Sequence, residues 1–241
     1  MRNAMILGSV LLLAACNFSA GARESETSGQ QIRRNFTVAA FDRVALAGPH
    51  NVIVSVGGAP SVRAEGDSKL MERLEVKVEN GELHIGTKER NGFSWSTNRQ
   101  ALTIYVTAPS LTGAAVAGSG DLKVDRIEGK SFAASIGGSG NIDLAAMKVE
   151  EAAFAIGGSG NIKAAGTAQN SNASIGGSGD IDLGRLETRQ SKVSVAGSGN
   201  VSARATEAAD ISIVGSGDVT MAGGAKCTVS KMGSGSARCT G

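Results

Sequence analysis

The sequence predicts an all-β chain folded as a single-stranded parallel β-helix, or β-solenoid. Two observations carry that prediction. A Gly-Ser-Gly step recurs seven times, at Gly118–Gly120, Gly138–Gly140, Gly158–Gly160, Gly177–Gly179, Gly197–Gly199, Gly215–Gly217 and Gly233–Gly235, with spacings of 20, 20, 19, 20, 18 and 18 residues. Aligned on the last glycine of each step, apolar residues form ladders. Val116, Ile136, Ile156, Ile175, Val195 and Ile213 stand four before it, and Leu122, Ile142, Ile162, Ile181, Val201 and Val219 stand two after it. Each coil therefore reads as two short alternating segments with one apolar side. A coil this short cannot bury that side alone, but stacked coils cover one another. Hairpins of a β-sandwich are the main competing architecture, and near-identical corners at a fixed period argue against it.

The corners explain the glycines. A sharp solenoid corner needs positive φ, which glycine adopts without penalty. The central serine is small, and its hydroxyl is able to bond nearby backbone groups. The next position reads Asp121, Asn141, Asn161, Asp180, Asn200, Asp218 and Ser236. These residues are expected to hydrogen-bond from coil to coil, and no Asp lies directly above another, which avoids stacked like charges. The solenoid calcium motif, Gly-Gly-x-Gly-x-Asp, fails here because Ile142 occupies the place of its aspartate. No Lys-Ser/Thr pair follows the glycines as a phosphate loop requires. The last coil is degraded: Lys231 stands where the ladder expects Val or Ile, as a polar terminal cap requires.

The chain begins with export signals. Arg2 precedes a short apolar run, Met5 to Leu13, which ends in Leu13-Ala14-Ala15-Cys16. This resembles the processing box of bacterial lipoproteins, which implies a signal peptide over 1–15 and a lipid on Cys16. With Asn17 rather than an aspartate after the cysteine, the same resemblance implies the outer membrane in a cell that has one. Residues 16–31 read as a flexible, polar tether. Residues 32–109 read as a less regular β portion continuous with the regular coils of 110–241. Within it, Asn80-Gly81 between Leu74–Val78 and Leu83–Gly86 marks a hairpin, and residues 67–72 form a short helical turn. Cys227 and Cys239 are positioned for a disulfide in an oxidising compartment, with two free thiols as the alternative.

Composition bounds the function. A formal net charge of +2 gives no concentrated basic footprint for nucleic acid. Only two histidines, His50 and His84, are present, both in turn or strand-edge contexts and expected at the surface; a metal site is unsupported and no cofactor is expected. Trp95, the sole tryptophan, lies in a polar segment as a contact for sugar or protein, or else as a lid on a sheet end. An enzymatic reading needs clustered carboxylates, and Asp125, Asp143 and Asp182 with Arg126 and Arg185 share one flank. Yet Asp143 and Asp182 lie two coils apart with Lys163 between them, about 10 Å, beyond glycosidase separations; Asp143 and Lys163 are placed to pair as neighbours.

The signal, Phe41-Asp42-Arg43-Val44, Val52-Ile53-Val54, Leu74-Glu75-Val76, Gly81-Glu82-Leu83-His84-Ile85 and Tyr105–Pro109, followed by Gly-Ser-Gly-Asp/Asn coils, together resemble the family described as putative auto-transporter adhesin, head GIN domain. The resemblance implies a β-helical protein of the bacterial cell envelope and brings no catalytic residues. The expectation is a non-enzymatic lipoprotein with an adhesin-like surface for an envelope protein or glycan. A structural role without a dedicated ligand and, third, a carbohydrate-active enzyme are the alternatives. Oligomeric state is not encoded in the repeat.

Overall fold

The computed structural model describes residues 30–88 and 101–241. Its core is a parallel β-solenoid. Four long strands, β11 (Asn141–Gly158), β12 (Asn161–Gly177), β13 (Asp180–Gly197) and β14 (Val201–Gly215), follow one another in parallel register. Ile142, Ile162, Ile181 and Val201 stack in one ladder, and Ile156, Ile175, Val195 and Ile213 in a second. Every member of both ladders is buried. Register shifts, such as that between Leu144 and Met147, mark the bends.

The bends enclose a third short run that the two-segment reading of each coil lacked. Met147, Gly166 and Leu186 are stacked there, with Val149, Ala168 and Thr188 two residues on. Its inward residues are chemically mixed, so they leave no apolar ladder to read.

The amino-terminal third is woven into the stack rather than placed before it. Strands β2 (Arg43–Ala47) and β3 (Asn51–Val56) lie between two later coils. On one side they pair with β6 (Glu82–Thr87) and β7 (Thr103–Ala108), and on the other with β8 (Gly113–Gly118) and β9 (Asp121–Val124). All four pairings are parallel. The corner Gly48-Pro49-His50-Asn51 thus occupies the place of a Gly-Ser-Gly-Asp step, directly against Gly118–Gly120. His50 thus stands where the later corners carry the second glycine of the step.

Antiparallel strands close this end. Strand β5 (Leu74–Glu79) pairs with β6 through the Asn80-Gly81 turn, where φ is 51° and 77°, the left-handed pair of a two-residue hairpin. Strand β4 (Ser61–Asp67) runs antiparallel to β7, and β1 (Gln31–Phe36) runs antiparallel to β4. Helix α1 (Ser68–Arg73) is N-capped by Asp67 Oδ1, which accepts from the Lys69 N–H at 2.8 Å, and it buries Met71 under the core.

At the far end stand β15 (Asp218–Ala222), β16 (Lys226–Met232) and β17 (Ser236–Cys239). A disulfide between Cys227 and Cys239 joins β16 to β17, with Cα atoms 6.7 Å apart. Lys231 continues the ladder position of Ile213, and its Nζ donates to the Gly235 carbonyl at 3.1 Å. The last layer is held by a covalent bridge and a charged cap where further apolar cover would otherwise be needed.

Candidate functional site

The corner residues form a polar spine. Asn141 Nδ2 donates to Asp121 Oδ1 at 2.7 Å, and Asn161 Nδ2 donates to Asn141 Oδ1 at 2.9 Å. Farther along, Asn200 Nδ2 donates to Asp180 Oδ1 at 2.9 Å, the Asp218 N–H donates to Asn200 Oδ1 at 3.2 Å, and the Ser236 hydroxyl donates to Asp218 Oδ1 at 2.7 Å. Asn161 and Asp180 are neighbours in register without such a bond, so the spine has two segments. The Ser236 hydroxyl and then its backbone N–H hold the Asp218 carboxyl below its usual range. Most of these side chains are engaged coil to coil, which ties successive layers together.

The corner serines play another part than their hydroxyls suggest. Their backbone N–H groups bond the preceding coil, as Ser139 does to the Gly118 carbonyl at 2.8 Å and Ser159 to that of Gly138 at 2.9 Å. Among the described residues these hydroxyls make no hydrogen bond.

Beside the spine, two positions on, runs an exposed row of Lys123, Asp143, Lys163 and Asp182, consecutive partners in register. Spine and row line a shallow groove of about 270 Å³. Asp143 and Lys163 are neighbours without an ion pair within 4.0 Å. Asp182 Oδ1 accepts from the Gly184 N–H at 3.1 Å. Asp125 is committed to a bend, where Oδ1 accepts from the Val56 N–H at 3.0 Å and from the Arg126 N–H at 2.6 Å. The row continues towards the end closed by the antiparallel strands through Ile53, Tyr105 and Arg63, whose guanidinium lies 4.5 Å from the Tyr105 ring centre. On the other long sheet a wider depression of about 670 Å³ overlies Ala45, Ala47, Ala115 and Ala117.

Cys16 and Trp95 lie outside the described residues. Within the described residues no group of three or more His, Cys, Asp or Glu side chains could hold a metal ion, and no helix is long and apolar enough to cross a membrane.

The expectation for His50 is corrected. His50, expected at the surface, is 3 % exposed. Its Nδ1 accepts from the Leu102 N–H at 3.4 Å, and its Nε2 lies 3.3 Å from Thr87 Oγ1. Thr87, at the end of β6, and Leu102, just before β7, lie against the ring, a consequence of long-range pairing invisible in the local turn. Burial lowers the His50 pKa from 6.5. An unfolded chain therefore takes up this proton at a higher pH than the folded one, so the contribution is complete above 6.5 and is lost as pH falls towards the folded value. The melting temperature is expected to drop on acidification through this window, ahead of most carboxylates. His50→Asn, whose Oδ1 stands where Nδ1 accepts from Leu102, is expected to flatten that part of the profile in thermal melts.

Crystal structures share this fold. A putative adhesin from Bacteroides fragilis superposes with a TM-score of 0.80 at 23 % identity, covering 88 % of this chain and 98 % of its own. A putative lipid binding protein from Parabacteroides distasonis gives 0.72 at 24 %, with 88 % and 97 % covered. A putative adhesin from Parabacteroides merdae gives 0.68 at 17 %, with 88 % and 96 % covered. No curated protein matches the chain. Its own sequence matches a family profile across residues 40–225, and by that match the chain belongs to the family described as putative auto-transporter adhesin, head GIN domain.

Proposed function

We propose that the chain is a non-catalytic, adhesin-like binding protein of the bacterial cell envelope. One observation carries this reading: the solenoid presents long, regular rows of outward side chains, while the carboxylates suited to catalysis are dispersed along it. Asp125 is engaged by backbone N–H groups. Asp143 and Asp182 are separated by Lys163 in register. Such rows suit an extended protein or glycan contact better than a reaction at a point. Family membership supports the same reading.

The 18- to 20-residue Gly-Ser-Gly coil is, on this reading, the unit that lengthens the surface. Residues 1–15 direct export, Cys16 carries the lipid, and residues 16–31 tether the domain. Residues 32–109 and 110–241 act as one continuous body, and Trp95 is an added contact. The outer membrane is the proposed site. A purely structural envelope role is the alternative, favoured by the corner spine alone.

Cross-linking and capture from intact cells tests the proposal, comparing the wild type with Cys16→Ser. Reproducible recovery of one envelope protein or glycan with the anchored form is the expected result. Empty capture from a correctly localised, folded protein moves the assignment to the structural role.

A further inference from the structure

The exposed row Lys123, Asp143, Lys163 and Asp182 alternates in sign, one residue per coil, at about 4.8 Å per layer. None of the four is ion-paired within 4.0 Å among the described residues. Read in the opposite direction, plus-minus-plus-minus becomes minus-plus-minus-plus. The row is the complement of its own reverse. That is the property a two-fold symmetric interface requires, because the same patch must satisfy itself.

We propose that this face is a self-docking surface, on which two copies of the chain pack antiparallel about a two-fold axis passing between Asp143 and Lys163. Lys123 then meets the partner's Asp182, and Asp143 meets the partner's Lys163, with each contact repeated by symmetry. Sheets packed face to face lie about 10 Å apart, a gap that an extended lysine opposite an aspartate spans. The flank of the row away from the spine holds Ala145, Ala165 and Gly184, with Asp125 beside Lys123 held down by the Val56 and Arg126 N–H groups, so the sheets are free to approach. Beyond the charges, Ile53, an exposed apolar residue, comes opposite the partner's Ser202, and no charge is stranded against it. A like-charge pair within the row, Arg63 with the partner's Arg238, falls at its far ends, where sheet twist separates the faces. In the adjoining spine Asp121 comes opposite the partner's Asp180, two short carboxylates that each already accept from the asparagine of the next coil. A polymer of single charge sign is a poor alternative occupant, since every second side chain would repel it.

The role of this contact rests on the adhesin reading. An antiparallel pair places its two amino-terminal ends apart, which suits copies held on facing surfaces. Exposed ion pairs are individually weak, so affinity in solution is modest and is raised by many copies acting together.

Sedimentation velocity of the full chain in density-matched detergent, over a concentration series, tests the inference. Wild type is expected to form a dimer that dissociates as salt rises from about 50 mM to about 500 mM. Asp143→Lys creates two like-charge contacts and is expected to weaken the dimer on the order of tenfold or more. The double variant Asp143→Lys/Lys163→Asp reads plus-plus-minus-minus, again its own reverse complement, and is expected to restore the dimer. Circular dichroism of these surface variants checks that the fold is retained. A wild type that stays monomeric throughout, or a double variant no better than the single, overturns the proposal. If the monomeric protein still captures an envelope partner from cells, self-docking fails while the adhesin reading stands.

Discussion

Gly160→Ala is expected to lower stability by about 3 kcal/mol or more, whereas Ser159→Ala, one residue earlier, is expected to change it by no more than ~0.5 kcal/mol. Gly160 is buried at a corner, and a Cβ there would overlap the Gly140 carbonyl oxygen and sit 2.8 Å from Ile136 Cγ2. The obstruction is largely backbone, which no side-chain rotation relieves. Coils stack corner on corner, so the layers on both sides would have to separate. Ser159 is exposed, and its structural contribution is the backbone N–H to the Gly138 carbonyl, which alanine retains. Gly158 is restricted for a second reason: its φ of +152° adds backbone strain to the same close approach. Urea denaturation of both variants tests the contrast. Equal effects would mean that the corner opens readily and that the glycines are not fixed by the approach of the layers.

The same contrast explains what could be read from the residues. Corners and their flanking ladders were legible because each coil repeats the same local problem, and Ile142 and Ile162 solve it alike. The weave of the first third was not, because the pairing of Asn51 with Asp121 joins segments 70 residues apart through no shared motif. The recognition of Gly48-Pro49-His50 as a corner follows from that pairing, and the burial of His50 follows from the pairings on the other side, which bring Thr87 and Leu102 to its ring. The third run in each coil escaped notice because Met147, Gly166 and Leu186 satisfy one inward position with three different shapes. Along the candidate surface, Asp143, Lys163 and Asp182 were visible as one repeat position. Their reverse complementarity becomes physical only once Lys123 joins them on one exposed face.

Phe154→Ala is expected to have the largest effect in the core, about 4 kcal/mol. The ring is 1 % exposed, and its neighbours above and below in register are Ala134 and Ala173. One large residue thus fills volume that two alanines leave open, and Phe132 against Ala152 repeats the device one position away. Deleting the ring removes its transfer free energy and leaves a cavity that neither methyl group is able to fill. The paired strands hold the layers about 4.8 Å apart, so the stack cannot collapse locally into the space. Ile156→Val, two residues on in the same strand, removes one methyl and sets the ordinary scale at about 1 kcal/mol. In a solenoid each layer is coupled mainly to its neighbours. Hydrogen exchange should therefore quicken first in β10 (Ile127–Gly138), β11 and β12, with β2 and β3 keeping more of their protection. Uniform loss of protection along the whole stack would show instead that the solenoid unfolds as a single unit, and that the ring contributes to a cooperativity longer in range than one layer.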